Sequence, residues 1–114
     1  MSLADALAVV TRIPGVRGAL IVSTDDGLVV AESLMEGVDG RAVAALTGSV
    51  AARMLGLTGA LGAPAPTLLH LQAADGALLA AWGPSGLLVV AVTAADVNAG
   101  QVRLELLHAA ERAA

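Results

Sequence analysis

Short clusters of turn-forming residues divide this sequence into segments, and they set the length that any helix or strand can reach. Gly, Pro and Asp gather at residues 14–15, 25–27, 37–40, 59–66, 74–76 and 83–86. Gly reaches positive φ angles and Pro lacks an amide hydrogen, so such clusters favour turns over continued helix or strand. The spacing predicts a series of short elements in one domain over residues 1–114, because a chain of this length supports a single core.

Three segments carry apolar residues every three or four positions, the spacing of one face of a helix. These positions are Leu3, Leu7, Val10 and Ile13, then Val43, Leu46, Val50, Met54 and Leu57; in the last segment Val97, Leu104 and Leu107, with Val102 and Leu106 beside them, form a wide apolar face. Ser2 followed three residues later by Asp5 indicates a capped start for the first helix. Asp39 is a suitable N-cap for the second helix, and Asp96 is the expected start of the third.

Five further segments are rich in β-branched and aliphatic residues and predict strands, at residues 18–23, 28–33, 67–73, 77–82 and 87–92. Asp26 and Gly27 between the first two strands are a strong hairpin signal. Short turns join the last three strands, so they form an antiparallel meander. The predicted order is αββαβββα, an α/β (α+β) fold with a five-stranded antiparallel sheet. Strands that are apolar on both sides indicate helices on both faces of the sheet.

Charge is scarce in this chain, which restricts the partners that it can have. Charged residues make up 14% of the chain, the formal net charge is −4, and Lys is absent. Nucleic-acid binding uses basic side chains for phosphates and aromatic rings for bases, and Trp82 is the single aromatic residue. We therefore expect no nucleic-acid partner. A small domain with few charged residues leaves apolar surface uncovered, so the composition predicts self-association.

The same composition also indicates in which cellular compartment the protein is expected. Absence of Cys excludes disulfides and thiolate metal sites, and it fits a reducing environment. The N-terminal residues have no basic stretch before an apolar run, so no signal peptide is expected. Two uncharged stretches, residues 54–74 and 76–95, are interrupted by Gly and Pro, so we expect no membrane insertion. Arg without Lys and heavy use of Ala favour a bacterial cytoplasm.

Residues able to carry chemistry are few and isolated. His70 and His108 have no second metal ligand or catalytic acid at helix or hairpin spacing. Turn formation explains Asp25 and Asp26, and the glycine-rich residues 56–62 lack the Lys of a phosphate-binding loop. We therefore expect no catalytic residue, cofactor, metal ion or small-molecule substrate. Trp82, just before a turn, is interpreted as a residue at the edge of the core, with a binding anchor as the alternative.

Small residues form one line on the second predicted helix. Ala44, Gly48, Ala52 and Gly56 recur every four residues, which places them on a single ridge that lets another backbone approach closely. Gly inside a helix costs about 1 kcal/mol relative to Ala, so Gly48 needs a reason in packing. We favour a dimer contact along this ridge, with the larger apolar residues of the helix facing the sheet. The alternative is that the ridge packs on the sheet of its own domain.

Three segments of this sequence are similar to the roadblock family of dynein-light-chain-type modules. They are residues 14–23, residues 26–31 and residues 98–106, and together with the order of elements they extend the resemblance over essentially the whole chain. The start of the last helix, Asn98, Gly100, Arg103 and Leu104, is the most specific, because packing alone does not require this combination. The other two segments are apolar strands around a glycine turn.

The resemblance implies a profilin/roadblock-like sandwich that forms a homodimer, with paired second helices and third strands that join the two sheets. It also implies a regulator or adaptor of a Ras-like small GTPase in a bacterium, without catalysis of its own. The alternative is a structural scaffold subunit with no GTPase link. The expected dimer contacts are Ala44, Gly48, Ala52, Leu55, Gly56, Leu68 and His70. Arg53, then Arg41 and Asp39, are the expected contacts with the outside partner, since Arg is favoured at interface hot spots.

Overall fold

The computed structural model describes residues 2–113, apart from the side chain of Ser85. Its elements are α1 (Leu3–Thr11), β1 (Val16–Ser23), β2 (Val29–Leu34), α2 (Gly40–Ala60), β3 (Leu68–Gln72), β4 (Gly76–Trp82), β5 (Leu87–Ala94) and α3 (Ala99–Arg112). A short 3-10 helix, Pro84–Gly86, lies between β4 and β5. The order αββαβββα and the five-stranded antiparallel sheet with three helices confirm the fold predicted from the sequence.

The sheet has the strand order β2-β1-β5-β4-β3, and every neighbouring pair is antiparallel. The predicted hairpin is β1–β2, with Gly27 at a φ of 68°, and the predicted meander is β3–β4–β5. Pairing of β1 with β5 joins these two units, a long-range contact that turn signals do not encode. Strands β2 and β3 are therefore the two free edges of the sheet.

Side-chain hydrogen bonds fix where the helices begin. Ser2 and Asp5 form the predicted capping box of α1, and hydrogen bonding by the side chain and amide of Ser2 lowers the pKa of the Asp5 carboxyl. The Asp39 carboxylate accepts from the amide of Ala42 at 3.1 Å, which confirms it as the cap of α2. The start predicted for α3 at Asp96 is wrong, because the Asn98 side chain caps that helix by accepting from the Gln101 amide.

Alternate residues of the strands contribute side chains to two apolar cores on opposite faces of the sheet. Ala19 and Ile21 face α1 and α3, whereas Leu20 and Val22 face α2. The core on the first face also contains Leu7, Val10, Leu79, Val89, Val102 and Leu106. The core under α2 contains Ala44, Ala51, Ala80, Leu88 and Val90. Both faces of the sheet are thus covered, which explains why the central strand β1 is apolar in both directions.

Helix α2 packs on the sheet through its small residues, so the prediction that its larger residues face the sheet is wrong for Leu46 and Leu57. Those two side chains are 68% and 51% exposed. The buried positions of α2 are Gly40, Ala44, Thr47, Gly48 and Ala51. A Cβ atom on Gly48 would lie 3.4 Å from the Cα of Gly27, so the helix approaches the β1–β2 hairpin backbone closely at this point. Small residues on the inward side let the helix pack closely on the sheet and the hairpin.

Candidate interaction surface

Large apolar side chains are exposed to solvent on α2, on the loop after it and on strand β3. Leu46, Leu55, Leu57, Leu61 and Leu71 are all at least 42% exposed, and we call them the charge-poor face. Only one charged side chain, Arg53, occurs within residues 42–74. Exposed apolar surface with so little charge is typical of a region that another molecule covers.

The residues predicted for a dimer contact do not all reach this surface. Ala44 has no exposed area and Gly48 is buried, because both pack against the sheet and hairpin of their own domain. The structure corrects the prediction for these two residues. Leu55, Ala52 and Gly56 are exposed on the second half of α2, and a Cβ atom on Gly56 would meet nothing within 4 Å.

Leu68 and His70 lie on the edge strand β3, and both are partly buried. They pair with Ala81 and Leu79, whose side chains belong to the core on the α1 and α3 side. Residues paired across antiparallel strands share a face, so Leu68 and His70 point to that side, away from α2. In the described part of the chain the Nε2 atom of His70 is buried without a hydrogen-bond partner.

The three residues predicted to contact an outside partner are exposed but do not form one cluster. Asp39 and Arg41 lie at the start of α2, and the carboxylate of Asp39 is engaged in capping the helix. Arg53 lies twelve residues further along the helix than Arg41, which corresponds to about 18 Å at 1.5 Å per residue. Arg53 thus belongs to the charge-poor face, whereas Asp39 and Arg41 lie near strand β2.

Two apolar grooves lie beside strands β3 and β4, and only the smaller has α2 residues in its lining. The smaller, of about 80 Å³, is lined by Leu46, Thr47, Val50, Leu69, Leu71 and Leu78. The larger, of about 300 Å³, shares Leu71 and Leu78 with it and extends to Val92, Arg17 and Asp75. Both grooves open to solvent rather than enclosing a ligand. Their floors are aliphatic, so they suit the side chains of another protein better than a polar substrate.

Turn formation accounts for Asp26, one of the two adjacent carboxylates of the β1–β2 hairpin. The Asp26 side chain accepts from the amide of Leu28 at 3.1 Å, and the Thr24 hydroxyl donates to the Gly86 carbonyl at 2.9 Å. Within residues 2–113 the structure has no group of three or more His, Asp or Glu side chains placed to hold a metal ion.

Helix α2 is long and apolar enough, by length and composition alone, to cross a membrane. Core helices of soluble proteins pass the same test. The contacts of Ala44 and Ala51 with Leu20, Val22 and Leu88 place one side of α2 in the core of this domain. Leu46 and Leu57, on its other side, are part of the charge-poor face.

An antiparallel sheet with one long helix on one face and two on the other, and with a wide apolar surface, defines an α+β domain of the interaction-module type. Residues 3–93 match the model of the Roadblock/LC7 domain. The chain therefore belongs to the Roadblock/LC7 domain family, as its resemblance predicted. This family consists in general of non-catalytic interaction domains.

Solved structures share the fold at low sequence identity. MglB from Myxococcus xanthus superposes with a TM-score of 0.86 at 19% identity, covering 96% of this chain and 89% of that one. The gliding protein MglB from Thermus thermophilus gives 0.86 at 23% identity, covering 97% and 84%. A Roadblock/LC7 domain from Streptomyces avermitilis gives 0.87 at 16% identity, covering 98% and 94%. No curated protein matches the sequence.

Proposed function

We propose that this chain is a homodimeric, non-enzymatic interaction module that pairs through the charge-poor face and acts as a regulator or adaptor of a Ras-like small GTPase. The observation that carries the self-association is the exposed apolar surface of α2 and β3. A second copy would cover Leu46, Leu55, Leu57, Leu61 and Leu71, while Arg53, the one charged side chain within residues 42–74, would stay at the rim of the contact and open to an outside partner. Burial of apolar area is the main favourable term in such association.

The two edges of the sheet differ in a way that favours pairing through β3. Strand β3 is in unbroken register with β4 from Leu68 to Gln72 and contains no acidic or Arg residue. Strand β2 contains Glu32, and its register with β1 shifts at a bulge near Val30. Bulges and charged residues are the usual means by which an edge strand avoids pairing with another chain. Strand β3 is the regular edge, so we propose that the sheets of two copies join through it.

The second half of α2 would supply the contact between helices. Ala52 and Gly56 are exposed and continue the ridge of small residues, while Leu55 flanks them. A ridge of this kind fits the groove of a facing helix and allows close approach. The contact predicted along the whole ridge is thus proposed only for its second half, since Ala44 and Gly48 pack within the domain.

The GTPase partner is supported by the family resemblance, and the exposed Arg53 at the rim of the dimer contact fits a folded protein. One experiment distinguishes this proposal from the alternative, a scaffold subunit without a GTPase link. Ras-like GTPases from the native host are loaded with GDP or with a non-hydrolysable GTP analogue and titrated into the pure chain. Affinity that depends on the bound nucleotide supports the proposal. Equal affinity in both states, or none, favours the scaffold.

Arg53→Ala is expected to weaken binding of the native GTPase by about tenfold while leaving the dimer intact, because Arg53 is the only charged side chain of the charge-poor face. Affinity is measured by calorimetry, and dimer content by light scattering. Arg103→Ala is the matched control, since Arg103 is also exposed but lies on α3. Unchanged affinity with an intact dimer would remove Arg53 from the proposed contact.

The pure chain is expected to hydrolyse neither ATP nor GTP. It has no Lys to reach phosphates and no Cys nucleophile, and its described residues hold no carboxylate–His cluster for metal binding. Phosphate release is measured with each nucleotide over several protein preparations. Turnover that is abolished by one polar substitution in the chain would show an active site and contradict the proposal.

A further inference from the structure

Negative charge is concentrated along one edge of the molecule. Five of the ten acidic residues fall within residues 25–39, a stretch without Lys or Arg, and Arg17 and Arg41 line the depressions at its two ends. All five, Asp25, Asp26, Glu32, Glu36 and Asp39, are exposed. This segment is therefore more negative than the whole chain, whose net charge is −4. The surface around β2 differs in kind from the charge-poor face at the other side of the sheet.

The same edge also exposes large apolar side chains. Leu28, just before β2, is 63% exposed, Val30 within it is 47% exposed, and Met35, just after it, is 62% exposed. An open depression of about 410 Å³ adjoins the start of the strand, between Asp26, Leu28 and Val29 on the hairpin and Arg41 and Ala45 on α2. Aliphatic side chains among carboxylates offer both apolar contact area and a field that selects the partner.

We propose that Leu28, Val30 and Met35, together with Asp26, Glu32 and Glu36, form a docking surface for a protein whose face presents aliphatic residues among Lys and Arg. We call these six residues the β2 edge surface. A partner of this composition meets the apolar groups with apolar groups and the carboxylates with cations. Contact through side chains is favoured over addition of a strand, because the bulge near Val30 and the charge of Glu32 hinder pairing of this edge with another strand.

Charge disfavours the other occupants of such a surface. A second copy that met this edge symmetrically, β2 against β2, would bring like charges together, which opposes association. Nucleic acids and anionic lipid headgroups are repelled for the same reason. The occupant that complements both the carboxylates and the aliphatic groups is a basic protein surface.

The β2 edge surface lies at the opposite edge of the sheet from β3. A dimer that joins through β3 leaves it uncovered in both copies, so one dimer presents two such surfaces. An adaptor needs a site beyond the one occupied by its first partner, and this edge supplies it. The inference extends the proposed role as an interaction module but requires neither a GTPase partner nor a dimer.

The test uses the full chain, labelled with ¹³C and ¹⁵N, and three peptides that differ in one property each. The first peptide alternates Lys with Leu and Val over seven residues; the second has Glu in place of Lys, and the third has Ser in place of Leu and Val. The first is expected to shift the methyl signals of Leu28, Val30 and Met35 saturably, and the second to leave them unmoved. The third should bind at least about fivefold more weakly, as expected for loss of the apolar anchor.

Variants and salt then separate specific binding from general charge attraction. Met35→Gln and Glu32→Gln should each weaken binding of the first peptide by about fivefold, whereas Leu104→Gln, an exposed change on α3, should have no effect. Raising the salt from about 50 mM to about 500 mM should weaken binding about tenfold, because exposed charges are screened.

Three results would overturn the inference: equal binding of the Glu peptide, shifts confined to Leu55, Leu57 and Leu61, or shifts of the β2 edge signals on simple dilution of the chain. The last would mark this edge as a self-contact. Light scattering on the same samples reports the dimer separately. A monomeric chain that binds the Lys peptide at β2 would refute the proposed dimer and retain the docking surface, and a dimer without peptide binding would do the reverse.

Discussion

Leu46→Asp is expected to abolish the dimer and leave a folded monomer. Leu46 is 68% exposed in the single chain and lines the groove formed with Leu69, Leu71 and Leu78. The substitution removes no core contact of the domain and costs about 0.5 kcal/mol in helix propensity. In the dimer it would place an unpaired carboxylate in an apolar contact, and two-fold symmetry would do so twice. Buried unpaired charge costs several kcal/mol, so the dissociation constant should rise by at least about 100-fold.

The matched control is Leu104→Asp, the same change at a residue that is 52% exposed on α3, on the other face of the sheet. Sedimentation of both variants over a range of concentrations gives the dissociation constants, and circular dichroism reports the fold. A Leu46→Asp protein that remains dimeric with an unchanged constant would exclude the charge-poor face as the self-contact. Loss of the dimer in Leu104→Asp instead would move the contact to α3.

Sequence patterns that act over a few residues predict most elements of the fold. The Asp26–Gly27 turn, the Ser2 capping box and the Asp39 cap each act over a few residues, and each is found where the sequence indicates it. The start of the last helix was harder to predict, because Asp96 and Asn98 are both good capping residues and only backbone geometry decides between them. The pairing of β1 with β5 is set by the packing of the whole sheet, so no local pattern predicts it.

The orientation of α2 could not be predicted because apolar residues surround the helix on all sides. Periodicity then gives no single inward face, and a rule that places the largest residues in the core selects Leu46 and Leu57 wrongly. The close approach of the Gly27 backbone favours a small residue such as Gly48 at the contact, and periodicity does not encode this approach. The β2 edge surface was also missed, although the run of acidic residues between Asp25 and Asp39 in the sequence marks it.

Because Gly48 packs within the domain and Gly56 is exposed, the same change to Leu should have opposite effects on stability at these two positions of α2. Gly48→Leu should lower the free energy of unfolding by about 3 kcal/mol, because the added side chain meets the Gly27 backbone and overpacks the contact between helix and hairpin. Gly56→Leu should leave the domain at least as stable, since a Cβ atom there has nothing within 4 Å and the change removes a helical glycine. In the dimer, however, Gly56→Leu should push the facing helices apart.

Both substitutions are best compared in the Leu46→Asp background, where unfolding is not coupled to dissociation and stability does not depend on concentration. Trp82, the single Trp and partly buried against the core under α2, reports unfolding in urea through its fluorescence. In the unmodified background, light scattering should show Gly56→Leu as a folded protein with a weakened dimer. A Gly48→Leu protein with unchanged stability and a lost dimer would show instead that the first half of the ridge contacts the second copy, and that the packing of Gly48 on Gly27 does not hold the fold.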